Sequence, residues 1–292
     1  MSTAECEGDA TMTDVRELDG PPNLTALFGR AALAAVRPAR RGEPVLPATR
    51  LARSDVRVDR AHLAAYDRVC GFRLTDELPV TYPHVLVFGL QVALMVADDF
   101  PFPLIGLVHV ANRISQTRPL RAGEPLVLRT HAENLRPHER GSQFDLVSEA
   151  LADGDPVWTE TSTYLRRGAG NPDRDRDRPE PSVRRPDAVW RIPGDIGRRY
   201  ADVSGDHNPI HLHPLTARLF GFRRAIAHGM WSLSRCLAFF EGRLPGGYTV
   251  DARFKLPILL PATVAITAGG DEFDLRDQRT GRPHLTGRIT RP

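Results

Sequence analysis

Lysine is almost absent from this chain: Lys255 is the only one among 39 basic residues in 292. The arginines that replace it come as scattered pairs, such as Arg166-Arg167, Arg198-Arg199 and Arg223-Arg224, and the formal net charge is only +3. No continuous basic run is present, so a nucleic-acid partner is not implied. Cysteine is scarce as well. Cys6, Cys70 and Cys236 are odd in number, far apart and without C-x-x-C spacing, which argues against a disulfide framework or a thiolate zinc site and fits a reducing cytoplasm. Uninterrupted apolar runs of about 18 residues, the minimum for a membrane-spanning helix, are also missing. The start, M-S-T-A-E-C-E-G-D, is acidic where an export signal needs positive charge, and the later run T-A-L-F-G-R-A-A-L-A-A-V is broken by Arg30. What is present is ordinary for a soluble cytoplasmic protein: 41% hydrophobic and 26% charged residues. The length suffices for two small units, each with its own core.

A repeat organises the chain. Residues 168–187 hold glycine, four prolines and alternating charge with no apolar periodicity, and read as a linker. On either side stand related stretches, Y-D-R-V-C-G (66–71) and Y-A-D-V-S-G (200–205). Upstream of each is a candidate first strand, V-R-V (56–58) and W-R-I (190–192), alternating apolar and charged residues. Downstream of each, 83–97 and 227–241 are long enough for one main helix, with Met230, Leu233, Leu237 and Phe240 on one stripe. Proline-containing strands follow in 118–130 and 256–267, and F-D-L-V-S-E-A-L and V-W-T-E-T-S-T-Y-L add further strand patterns. One long helix with several antiparallel strands, repeated by duplication, predicts an α+β fold. The expected organisation is a disordered tail over 1–22, a first unit over 23–167, the linker over 168–187 and a second unit over 188–292.

The densest chemistry is S-G-D-H-N-P-I-H, Ser204–His211. Asp206 and His211 can hold one water between a carboxylate and an imidazole and shuttle its protons near neutral pH. Asn208 can orient that water or a substrate group without changing charge. A polar turn with Ser204 or Asp206 as a cap is the plain alternative. A metal bound by Asp206, His207, His211 and His213 is a second, disfavoured because nothing elsewhere supplies a completing ligand at a recognisable spacing. Seventeen residues on, A-H-G-M opens the apolar helix. His228 and Gly229 therefore lie at a helix N-terminus, where a free N–H suits an oxygen gaining negative charge. His228 reads equally well as a structural hydrogen-bonder.

The pattern Y-A-D-V-S-G-D-H-N-P-I-H followed by A-R-L-F-G-F-R-R-A-I-A-H-G-M-W closely resembles the signature of the MaoC-like, R-specific enoyl-thioester hydratases. With L-P-V-T-Y-P-H-V and F-P-F-P-L-I-G-L-V-H-V-A-N-R-I in the first half, residues 23–292 resemble the double-hotdog members of that family. The resemblance implies two hotdog units, each a long helix wrapped by an antiparallel sheet. It also implies reversible hydration of trans-2-enoyl thioesters of coenzyme A or acyl carrier protein, giving (3R)-hydroxyacyl thioesters, without cofactor or metal. On it, Asp206 and His211 are the catalytic pair, Asn208 supports them, the Gly229 amide belongs to the oxyanion hole, and Ser204 and His228 are candidates for substrate contact. A hotdog thioesterase and a non-catalytic acyl-thioester binding subunit are the alternatives. In the first half Phe72, Leu74 and Glu77 take the places of Asp206, Asn208 and His211, so it holds no second copy of the site. Phe72, Leu74 and the helix around Val85–Val96 are candidates for an acyl-chain tunnel, and His84 and His109 read as structural. Two fused hotdogs already imitate the usual hotdog dimer, and the chain can pair again as a homodimer.

Overall fold

The computed structural model describes residues 15–35, 42–168 and 185–291. The first half runs β1 (Val15–Glu17), α1 (Leu24–Ala35), β2 (Arg50–Val56), α2 (Arg60–Cys70), α3 (Tyr82–Met95), β3 (Leu107–Gln116), β4 (Leu126–His138), β5 (Gly141–Ala152) and β6 (Asp155–Arg167). The second runs β7 (Ala188–Ile192), α4 (Ile196–Ser204), α5 (Pro209–Leu212), α6 (Pro214–Leu219), α7 (Gly229–Phe239), β8 (Tyr248–Phe254), β9 (Ala262–Gly269), β10 (Glu272–Asp277) and β11 (Pro283–Thr290).

All the strands form one sheet in the order β1-β2-β4-β5-β6-β3-β8-β11-β10-β9-β7. Read outward from the middle, the two halves repeat the same order, β3-β6-β5-β4-β2 and β8-β11-β10-β9-β7. The duplicated units thus join antiparallel through equivalent strands, with Ala111↔Arg253, Arg113↔Asp251 and Gln116↔Tyr248 in register. Arg113 Nη1 lies 2.7 Å from both Asp251 carboxylate oxygens across this seam.

Each strand turns alternate residues inward, as its period-2 pattern requires. In β4, Leu126, Leu128, Thr130 and Ala132 are buried. Against this face lie α3 and α7. Helix α3, opened by Pro83 within its first two residues, is apolar nearly all round and buried along most of its length, as a helix enclosed by a sheet must be. Helix α2 starts at Asp59, whose carboxylate accepts the Ala61 N–H at 2.8 Å, and stops at Gly71, left-handed at φ 84.

The halves are also pinned through their helices. Tyr66 Oη hydrogen-bonds Thr81 Oγ1 and Ser234 Oγ, both at 2.8 Å, and the Ser234 hydroxyl lies 3.0 Å from that of Thr81. Trp231 Nε1 donates to the Val69 carbonyl at 3.1 Å. Tyr66 and Tyr200, equivalent in the repeat, pack with ring centroids 6.2 Å apart.

Two expectations change, and a third goes untested. Residues 15–17 of the expected tail form β1, paired parallel with Arg50–Ala52 at the open edge of β2; residues 1–14 lie outside the described residues. The first strand spans Arg50–Val56, so V-R-V marks its end, the alternation there continuing only into the turn that caps α2. Most of the expected linker, 169–184, lies outside the described residues.

Asp67, buried on α2, has neither carboxylate oxygen hydrogen-bonded. Burial, reinforced by Glu241, raises its pKa to about 7 from 3.8. Its ionisation therefore costs stability, a penalty absent below the unfolded pKa and complete above the folded one. Asp67→Asn is expected to stabilise the fold by about 1–2 kcal/mol at pH 8. The gain should fade toward pH 4, as thermal melts at the two pH values will show.

Candidate active site

Helix α4 ends at Gly205, left-handed at φ 74, and its N–H closes on Ala201 O at 2.8 Å. The chain then turns sharply enough for Ser204 Oγ to accept the Asp206 N–H at 3.2 Å, and for Asp206 Oδ1 to accept the Asn208 N–H at 3.1 Å. Asn208 caps α5, its Oδ1 accepting from Ile210, and Pro209 takes the first helical position. The polar turn and the reactive stretch are thus the same structure. Ser204 is buried and spends its hydroxyl on this turn, while Asn208 keeps its side-chain N–H groups for a further partner.

One turn of α5 carries His211 inward, where it is 9% exposed. Its backbone fits because the facing residue of α4 is Gly197: a Cβ there would stand 2.1 Å from the His211 carbonyl oxygen. His211 Nδ1 donates to Ile226 O at 2.8 Å, which leaves Nε2 as the free proton acceptor of a neutral ring. Burial lowers its pKa below the ordinary 6.5, with Asp206 opposing.

The segment that accepts from His211 leads directly into α7. His228 Nε2 donates to the Asp206 backbone carbonyl at 3.0 Å and lies 3.7 Å from its Oδ2. Its ring stacks on His211, centroids 3.6 Å apart and planes 24° from parallel. Burial, then His211, lowers the His228 pKa to about 3, so this ring is neutral and acts as a fixed wall and donor. Asp206, with its side chain 26% exposed, is the open member. Burial alone would raise its pKa, but His228, His211 and the Asn208 N–H together hold it below the usual carboxylate value. A carboxylate and a neutral imidazole therefore share one cleft at pH 7.

Gly229 begins α7, so its N–H has no intrahelical acceptor. The Phe254 ring lies 3.1 Å from where a Cβ of residue 229 would stand, which closes one side of that amide. Asp206, His211 and His228 place one donor atom each within 4.8 Å of one another, so the cluster also has the right ligand types for a metal. The stacked rings weigh against it. In-plane lone pairs from two nearly parallel imidazoles do not converge on one ion at a zinc–nitrogen bond of about 2.0–2.1 Å. His207 and His213 are spent elsewhere, on the Gly205 carbonyl and on the Leu215 N–H.

In the first half Leu74 is 55% exposed and Glu77 pairs with Arg121 at 2.7 Å, also at the surface. Leu74 therefore lines no tunnel; the turn after Gly71 carries it outward. A buried polar group beside the cleft was not anticipated. Glu160, fully buried on β6, accepts from His84, Gln91 and Asn112. The pattern held a signal for it: Trp158, Glu160, Ser162 and Tyr164 alternate on the inward face, and a carboxylate there requires partners.

Residues 174–280 match the MaoC like domain family. The chain is 39% identical over 252 residues to 3-hydroxyacyl-thioester dehydratase X of Mycobacterium tuberculosis, covering 84% of this chain and 90% of that one. A crystal structure of that organism's HtdX superposes with a TM-score of 0.74 at 38% identity, over 82% of this chain and 98% of the other. A further Mycobacterium tuberculosis protein, described as having a double hotdog fold, matches with a TM-score of 0.50 at 14% identity, over 86% and 95% of the two chains. The fold is that of a double-hotdog protein of the dehydratase class. The chain belongs to the MaoC-like dehydratase family.

Gly197→Ala is expected to push α5 off α4, costing roughly 1–3 kcal/mol and displacing His211. Calorimetry should record a lower melting temperature, and activity should fall further than the fraction unfolded accounts for.

Proposed function

We propose that the chain is a hydro-lyase interconverting trans-2-enoyl and (3R)-hydroxyacyl thioesters of coenzyme A or acyl carrier protein. The observation that carries this reading is the pairing, in one cleft, of an ionised Asp206 with a neutral His211 whose Nδ1 is tied to Ile226. Two proton acceptors side by side suit a single water held by both. In hydration, that water gives its oxygen to the β carbon and one proton to the pair, and the pair passes a proton to the α carbon. Between these events the thioester oxygen gains negative charge, which the free Gly229 N–H and the positive end of α7 are suited to hold. Asn208 would steady the water through its side-chain N–H. The thioester provides its own electron sink, so acid–base groups and one oxyanion donor meet the needs of the reaction.

No helix among the described residues is long and apolar enough to cross a membrane, in keeping with action on thioesters dissolved in the cytoplasm. A solved acyl-carrier-protein thioesterase from Bacteroides thetaiotaomicron shares the fold with a TM-score of 0.52 at 11% identity, so the fold alone does not choose between the two reactions. The Asp206–His211 pair favours the dehydratase.

Mixing purified protein with crotonyl-CoA and longer enoyl-CoAs, while following the ultraviolet band of the enoyl thioester and free thiol together, separates them. Loss of the band without thiol release is expected. Asp206→Asn and His211→Ala should each lower kcat by a factor of about 10² or more. Thiol release indifferent to both substitutions would defeat the reading.

The pH dependence follows from the same groups. His211 must be unprotonated to accept a proton, and its pKa lies below 6.5. The profile of kcat/KM should stay flat through neutral pH and fall only below that value, as His211 and Asp206 take up protons.

A further inference from the structure

A cavity of about 890 Å³ lies between the β8–β9 connection and the β10–β11 turn, a volume within the range of small-molecule sites. Arg224, Arg279 and Arg282 line it, together with Leu256, Leu259 and Pro261. Arg279 and Arg282 are exposed and enter no ion pair among the described residues. Arg113, Arg118, Arg121 and Arg288, by contrast, each have a carboxylate beside them. The only acid in the lining is Asp277, and its own turn takes up the carboxylate. Asp277 Oδ1 accepts the N–H of Arg279 at 3.1 Å, the N–H of Thr280 at 2.7 Å and the Thr280 hydroxyl at 2.8 Å. The three guanidiniums are thus left without a protein counter-charge in the cavity.

The walls are built before any ligand arrives. The Asp277 N–H donates to Arg282 O and the Gly281 N–H to Asp277 O, both at 2.9 Å, with Gly281 left-handed at φ 68. This stiff turn carries Arg279 and Arg282 on either side of Gly281. Across the cavity, Arg224 Nη1 donates to Pro261 O at 3.3 Å. Two paths tie these walls to the candidate active site. Ile226, whose carbonyl holds His211 Nδ1, forms a β-bridge with Leu259 of the lining, flanked by the bonds Leu260 N–H to Ala225 O at 2.8 Å and Ala227 N–H to Ile258 O at 3.0 Å. Phe254, which covers Gly229, is two residues before Leu256.

We propose that this cavity seats the nucleotide end of coenzyme A, with Arg224, Arg279 and Arg282 holding its diphosphate and 3′-phosphate and the leucines and proline meeting the adenine. This rests on the dehydratase reading above and names the carrier of the thioester. Guanidinium forks suit phosphate oxygens, and a concave site lined by one sign of charge attracts a polyanion. A carrier protein would dock instead through a broad face of several hundred Å². A concave cavity with unpaired guanidiniums and apolar lining fits the compact nucleotide. The pantetheine arm then leads from the cavity toward Gly229 and His211.

Calorimetric titration of the full chain with coenzyme A, and hydration of crotonyl-CoA compared with crotonyl-pantetheine, test the assignment. Wild type is expected to bind coenzyme A and to show a KM for crotonyl-pantetheine at least about tenfold above that for crotonyl-CoA. Arg279→Gln and Arg282→Gln combined should weaken coenzyme A binding and raise the crotonyl-CoA KM by about tenfold each, with kcat within about twofold. Kinetics with crotonyl-pantetheine should stay at the wild-type level. Neither side chain is bonded within the fold, so the melting temperature should hold. Coenzyme A binding indifferent to the double substitution, or equal KM values for the two substrates, would overturn the proposal. Turnover of an enoyl thioester on acyl carrier protein with none of crotonyl-CoA would overturn it as well, in favour of a protein carrier. Wild type inert toward every enoyl thioester would count against the dehydratase reading, while the titrations, which need no turnover, still decide whether the arginines hold the nucleotide.

Discussion

The antiparallel pairing of β3 with β8 is the constraint on which the rest depends. It makes one sheet of two units and sets their register at Arg113↔Asp251, and the helices of the two halves meet beside it, α2 against α4 and α7. Without it, each unit would present an unpaired strand edge and a helix covered on one flank only. The hydroxyl cluster of Tyr66, Thr81 and Ser234 then locks the helices at a spacing that side-chain hydrogen bonds of 2.8–3.0 Å tolerate.

Duplication followed by divergence explains the division of labour. In the second half the turn after α4 carries Asp206, Asn208 and His211, and the start of α7 supplies a free N–H and the His228 wall. In the first half the matching turn bears Phe72, Leu74 and Glu77, with Leu74 and Glu77 at the surface and Phe72 stacked 6.4 Å from Tyr66. The first unit lost the proton-transfer pair, while its interior carries the Glu160 network, which the second unit's motif does not contain. The family relationship with MaoC-like dehydratases spans both units, since similarity covers 84% of the chain and not only the motif.

Local signals were strong where the chain's own geometry decides the outcome. The repeat, the two main helices and most strands were readable because apolar spacing and turn residues act over a few positions. So was the proximity of Asp206, Asn208 and His211: a six-residue stretch that follows the turn at Gly205 and contains Pro209 leaves little room for them to separate. The parallel edge strand β1 was missed, as three residues with no turn signal pair only because an open edge happens to be nearby.

By itself the sequence determined the family, the duplicated α+β plan and the residues bearing the hydration motif, because each depends on short-range pattern. The tertiary structure alone decided which of those residues face one another and in what charge state. The stacking of His228 on His211 links positions 17 apart, and the His84–Glu160 bond links positions 76 apart. The first brings two helix segments of the second half together, and the second joins a helix to a strand interior. The pKa values follow from that packing, since burial and neighbouring charge exist only once these elements have come together.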